Sequence, residues 1–308
     1  MQNGLNLASL RKKRSKMGNQ PSIIFLNCKQ PGQKLGDQIM NIEVPKINEI
    51  LKKIENVRAE ISGKKQSITD WRQEYLKQLP LARESESIDI FNTFASALLE
   101  RAMSGETYEY RIEIFEEIFK SFADVTEQNT KKALSKASYR FPEQGLSVVL
   151  AAKKIITSPD FKWKYYFEEA ERKYRNDFQQ DKFLGIKYVK YKTRDFALSE
   201  FSNRFVAIDL HVSKVAIRTG LFIHGYGDPK ITTDYRDEQG YLFLHGLLLK
   251  LSEETGWPGN GYSPGEIDRM FWFFGRTICK AKPSCENCPV ASICLTARMS
   301  SNRSITKK

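Results

Sequence analysis

The chain has 308 residues, 41% of them hydrophobic, with 49 Lys and Arg against 37 Asp and Glu, a net charge of +12. That length and apolar content suffice for one large domain or two modest ones, and they argue against a disordered basic chain. No run of about eighteen apolar residues occurs, so no membrane-spanning helix is expected, and the basic surplus favours a polyanionic partner, nucleic acid ahead of membrane.

Residues 1–20 carry Arg11-Lys12-Lys13-Arg14 and Lys16 and read as a flexible basic arm suited to phosphate contacts, or as a solvated tail. Residues 21–87 read as a partly helical N-terminal extension. Within it, Ile23 to Leu26 suggests a short strand or docking segment. Ile47, Ile50, Leu51, Ile54, Val57 and Ile61 fall at helical spacing over 45–62, and a second helix carries Trp71, Tyr75, Leu76 and Leu79. Pro80 to Ser87 reads as a linker. From Ile88 the pattern is a succession of short helices, with apolar stripes at Ile90 to Leu99, Ile112 to Phe119, Val148 to Ile156 and Phe161 to Tyr174. The expected class is mainly α. A helical domain spans 88–222, and a second domain with a basic tail spans 223–308. Between Gly225 and Gly265 the chain is glycine-rich; Tyr226, Trp257 and Tyr262 there either pack the second domain or line a pocket.

Four cysteines, Cys279, Cys285, Cys288 and Cys294, stand within sixteen residues as C-x5-C-x2-C-x5-C. Disulfides would need an oxidising compartment, and the polar, basic N-terminus shows no apolar core of a secretory signal. Four thiolates suit structural zinc, though zinc sites often use two C-x2-C knuckles and only one is present. They also suit a [4Fe-4S] cubane with one thiolate per iron. The fifth cysteine, Cys28, reads as an ordinary apolar thiol.

The second signal is Val206-Ala207-Ile208-Asp209-Leu210-His211-Val212-Ser213-Lys214-Val215-Ala216-Ile217-Arg218-Thr219-Gly220-Leu221. Asp209 immediately before a helix would cap free N–H groups at the positive dipole end. His211 reads as a structural hydrogen-bonding residue at the start of that helix. The segment resembles V-D-T-H-V-x-R-V-x-x-R-x-G-L of the helix-hairpin-helix DNA glycosylases. The stretch from Phe274 through Cys294 resembles the iron–sulfur loop of the endonuclease III and adenine glycosylase group, whose usual spacing is C-x6-C-x2-C-x5-C; the first interval here is one residue short. The resemblance spans roughly residues 88–298.

The resemblance implies a two-lobed helical fold with a C-terminal iron–sulfur cluster loop, and a [4Fe-4S] cofactor on Cys279, Cys285, Cys288 and Cys294. It implies double-stranded DNA as partner, a monomer, and a reducing, DNA-containing compartment (cytoplasm or nucleoid, or nucleus). The implied activity is flipping and excision of a damaged or modified base, with Asp209 stabilising the sugar cation. Lys280 and Lys282 would face the DNA backbone, and Lys214 stands where the family has an arginine.

The segment Phe183 to Leu198 corresponds to the family hairpin L-P-G-V-G-x-K-T-A, and two registers are open. One aligns Lys192-Thr193 with K-T, puts Tyr188 and Lys190 at the glycines, and makes Lys192 a Schiff-base nucleophile with associated AP lyase activity. Lys190 and Arg194 would then favour the free amine. The other aligns Gly185 with the first glycine, puts Val189 at the lysine, and leaves water as nucleophile. In either register Lys187, Lys190 and Arg194 are expected DNA contacts. The family glutamine after the Leu-Leu pair is absent from Leu98-Leu99-Glu100-Arg101-Ala102-Met103, so Arg101 or Met103 becomes the expected wedge. A non-cleaving DNA reader on the same scaffold is the alternative. The target base, its opposing base, and repair versus removal of deliberate modifications are not encoded legibly.

Overall fold

The computed structural model describes residues 47–61, 64–100, 105–174, 180–221, 234–283 and 285–299. The basic arm, Ile23 to Leu26, Cys28, Arg101, Met103 and Tyr226 lie outside them. The described chain is mainly α-helical, as expected, with one short antiparallel hairpin.

Helix α1 (Ile47–Glu55) buries Ile47, Ile50, Leu51 and Ile54. It stops earlier than the expected 45–62 helix, and strands β1 (Arg58–Ile61) and β2 (Lys64–Ser67) pair with Ile61 opposite Lys64. Helix α2 (Ile68–Glu84) opens on a capping box: Asp70 N–H donates to Ser67 Oγ at 3.0 Å, and Ser67 N–H donates to Asp70 Oδ2 at 3.3 Å. The helix runs through Pro80, where a linker was expected. A proline removes one helix bond, but tertiary contacts outweigh that loss. Arg83 pairs with Glu171, and Tyr75 donates to the Ser199 carbonyl at 3.0 Å. Trp71 stacks on both Tyr75 and Phe273.

Helix α3 (Ser87–Leu98) is buried on nearly every face, with Phe91, Phe94, Ala95 and Ala97 fully enclosed. Against it pack α4 (Gly105–Ile118), α6 (Pro142–Ile156) and α8 (Tyr191–Ser199). Helix α5 (Glu127–Lys136) packs on α6, and α7 (Trp163–Lys173) brings Trp163 and Tyr166 onto Phe94. This set forms the first lobe.

The second lobe is built on α11 (Pro264–Thr277), which contacts α9 (Leu210–Thr219), α10 (Glu238–Glu254), α1 and α2. Residues 47–84 therefore belong to this lobe and are not an appendage. Arg72 of α2 reaches both Glu55 at 2.5 Å and Glu266 of α11 at 2.7 Å. Helix α10 occupies much of the glycine-rich stretch between Gly225 and Gly265; its apolar face at Tyr241, Leu244, Leu248 and Leu251 is buried. Glycine permits close approaches on both sides of α11's packing. A Cβ at Gly265 would meet the Asn203 carbonyl at 2.8 Å, and one at Gly275 would meet the His211 carbonyl at 2.8 Å. Among the described residues no helix is long and apolar enough to cross a membrane.

Candidate active site

Asp209 is the N-cap of α9. Its Oδ1 accepts from the N–H of His211 at 2.7 Å and of Val212 at 2.9 Å. That leaves Oδ2 outside the cap, at the positive end of the helix dipole. The chain leading into it is pinned from three helices. Val206 N–H donates to the Tyr174 hydroxyl at 2.8 Å, and the Val206 carbonyl accepts from Tyr241 Oη at 3.2 Å. Ala207 N–H donates to Asp268 Oδ2 at 3.0 Å.

Lys192 is the second residue of α8, half-buried, on the helix that follows the hairpin. Thr193 closes the helix start: Lys190 N–H donates to Thr193 Oγ1 at 3.2 Å. Glu100, just past α3, faces Lys192. Burial pushes the Glu100 carboxyl up, while the charges of Arg111 and Lys192 pull it back. Arg111 is itself fully buried and sits 3.3 Å from Glu100.

The hairpin turns at an unexpected residue. Tyr188 has φ of 77°, in the left-handed region, whereas Gly185 has no positive φ. Tyr188 is a position that the first register assigns to a glycine. A tyrosine there is strained by about 1–2 kcal/mol. Tyr188→Gly should therefore leave the thermal midpoint level or raised, and Tyr188→Val should lower stability by about 1–2 kcal/mol, read by thermal unfolding. Val189, the alternative lysine position, is 4% exposed.

The cations expected to meet DNA divide into two sets. Lys187, Lys190, Lys280 and Lys282 are exposed, and the Lys187 ammonium lies 5.0 Å from the Tyr188 ring centre. Arg194 is not on that surface. It is 1% exposed and pairs with Asp195 at 2.5 Å and Asp181 at 3.1 Å. The reason is helical geometry: α8 turns Arg194 and Asp195 inward between the lobes, where each satisfies the other. Burial lifts Asp195 to about 6 against the pull of Arg194 and Tyr241, whose hydroxyl donates to it at 2.7 Å. Lys214 also turns inward. Its Nζ donates to the Gly275 carbonyl at 2.9 Å and lies 3.4 Å from His211 Nδ1, and burial holds its ammonium below the usual lysine range. Lys214 thus ties α9 to α11. Arg101 lies outside the described residues.

The cysteine loop is docked on the far end of the Asp209 helix. Arg218 donates to the carbonyls of Lys280 at 2.6 Å and Ala281 at 3.0 Å, and its Nη1 is 3.5 Å from Cys279 Sγ. Cys294 Sγ donates to the Arg218 carbonyl at 3.1 Å. Gly220 closes α9 at φ of 91°, and a Cβ there would meet Leu295 at 3.0 Å. Cys279, Cys285, Cys288 and Cys294 are free thiols. Burial raises the Cys288 and Cys294 thiols, and charge on the other cysteines raises them further. Among the described residues no three Cys, His, Asp or Glu side chains are closed around a single metal point. The donor chemistry fits an iron–sulfur cluster: four thiols on one loop beside the cations Arg218, Lys280 and Lys282.

Sequence reasoning passed over Glu100, Tyr174, Asp195, Tyr241 and Asp268. The one available signal was the adjacent charged pair Arg194-Asp195 directly ahead of the apolar run Phe196-Ala197-Leu198.

No family model matches the chain, and no curated protein matches its sequence. Solved structures do. The 8-oxoguanine DNA glycosylase of Methanocaldococcus jannaschii is similar at 20% identity and a TM-score of 0.51, over 74% of this chain and 94% of that one. The 8-oxoguanine DNA glycosylase of Thermotoga maritima is similar at 20% identity and a TM-score of 0.50, over 74% of this chain and 96% of that one. At that identity the likeness concerns architecture, and with the helical lobes described above it establishes that the chain has the helix-hairpin-helix DNA glycosylase fold.

Proposed function

We propose that the protein is a DNA N-glycosylase that flips a damaged or modified base from duplex DNA and excises it, with Lys192 as nucleophile and associated AP lyase activity. The observation that carries this reading is the bridge Asp195–Tyr241–Val206, which ties the helix of Lys192 to the chain entering Asp209. The left-handed Tyr188 supports the register that makes Lys192 the family lysine. Exposed Lys187, Lys190, Lys280 and Lys282 would meet phosphates.

In this mechanism the Lys192 free amine bonds to C1′ as the N-glycosidic bond breaks. The base leaves with the bonding electron pair and takes up a proton. Asp209 stabilises positive charge on the sugar from the helix N-terminus. Loss of the remaining amine proton and ring opening give an imine, from which β-elimination breaks the 3′ C–O bond. Cys279, Cys285, Cys288 and Cys294 would hold a [4Fe-4S] cluster, which supplies the loop with a structural anchor for Lys280 and Lys282. Along the chain, residues 88–222 carry the hairpin and Asp209 and residues 223–308 the cysteine loop; the helix that Asp209 caps packs on α11 in the second lobe, together with residues 47–84. The working compartment is a reducing one that contains DNA.

The test is incubation with duplexes bearing a panel of modified bases, scoring base release, nicking and borohydride trapping. Release with trapping, abolished in Lys192→Gln, is the expected outcome. Release without trapping would replace Lys192 by water as nucleophile. Tight binding with no release on any duplex would turn the reading to a non-cleaving DNA reader.

A further inference from the structure

Asp268 sits on α11, 5% exposed, and is absent from every motif read in the sequence. Its Oδ2 accepts from Ala207 N–H at 3.0 Å, two residues before Asp209. Its Oδ1 is buried and has no hydrogen-bond partner among the described residues. The adjacent cation does not neutralise it, because Arg269 is taken up by Glu200 at 2.6 Å and by the Ser199 carbonyl at 3.2 Å.

We propose that Asp268 is a positioning residue for Asp209: it pins the approach to the N-cap and adds a second, protonation-dependent negative charge behind the one that faces the sugar cation. This rests on the proposed role of Asp209 and deepens it.

The groups that face Asp268 come from its own helix and from four other elements. Asp209 at the α9 N-cap and Asp195 of α8 oppose its ionisation; Arg269 on its own helix and the Ala207 N–H favour it. Its charge in turn pushes the hydroxyls of Tyr75 on α2 and Tyr174 after α7 further up. Burial is the largest influence and lifts the carboxyl from 3.8 to about 7. The folded state thus keeps a proton that the unfolded chain releases near pH 4. Stability from this site is full below about pH 4 and is lost as pH rises toward 7. Over the same rise, negative potential behind Asp209 grows.

The test uses two probe duplexes that need no knowledge of the target base. One carries a pyrrolidine nucleotide, a stable cation in place of the sugar; the other carries neutral tetrahydrofuran. Wild-type full-length protein should prefer pyrrolidine, and the preference should grow about three- to tenfold between pH 6 and 8.5. Asp268→Asn should keep a preference that no longer varies with pH. Asp209→Asn should lose the preference. Urea unfolding gives a DNA-free check, because the wild-type midpoint should fall relative to Asp268→Asn across pH 5 to 8. A pH-dependent preference that survives in Asp268→Asn, or parallel unfolding profiles, overturns the proposal. If wild type shows no pyrrolidine preference, or Asp209→Asn retains it, the Asp209 reading itself fails and takes the positioning role with it.

Discussion

Asp209→Asn is expected to slow single-turnover base release by about 10³-fold, equivalent to about 4 kcal/mol of transition-state stabilisation, while duplex affinity is unchanged. The separation follows from the geometry. Asn retains an oxygen that can accept from His211 and Val212 N–H, so the start of α9 should stay capped. What it removes is the charge. If Asp209 were only a cap, the Asn variant would excise at the wild-type rate, because Asn caps as well as Asp. Equal rates for the two proteins on a duplex that wild type processes would therefore end the catalytic assignment. Parallel circular dichroism melts would confirm that the helix survived.

The second large effect concerns stability. Arg194→Ala should destabilise the fold by about 3–5 kcal/mol, because it strands Asp181 and Asp195 as buried, uncompensated carboxylates. The loss should also loosen the Asp195–Tyr241–Val206 bridge, which ties the helix of Lys192 to the chain entering Asp209. Lys190→Ala is the matched control. Lys190 is exposed, so its removal should change stability by no more than about 0.5 kcal/mol. It should instead lower the slope of log affinity against log salt by about one. Thermal unfolding and a salt titration of duplex binding separate the two variants. The reverse pattern, a stable Arg194→Ala with weakened DNA binding, would return Arg194 to the DNA surface.

The motifs legible in the chain are those whose chemistry depends on local spacing. The C-x5-C-x2-C-x5-C run, Asp209 ahead of a helical pattern, and the apolar stripes of α3, α6 and α7 all lie within a few turns of backbone. Gly220 at the end of α9 is legible for the same reason, since one left-handed residue closes one helix. The mainly helical class follows from those stripes.

What needed the tertiary structure is the direction in which each polar side chain points. Lys190, Lys192, Arg194 and Lys214 look alike in the sequence. Helix phase puts Lys190 in solvent, Lys192 beside Glu100, Arg194 between two aspartates and Lys214 on the Gly275 carbonyl. Pro80 reads as a break because a proline costs an isolated helix dearly, yet stacking of Trp71 on Phe273 and the Arg72–Glu266 pair keep α2 continuous. Asp268 and Tyr241 reach Ala207 and Val206 across 61 and 35 residues of chain. Local sequence determined where the helices and the chemistry-bearing groups lie; only the packing of distant helices, which sets burial and pairs charges, decided which of those groups face the site.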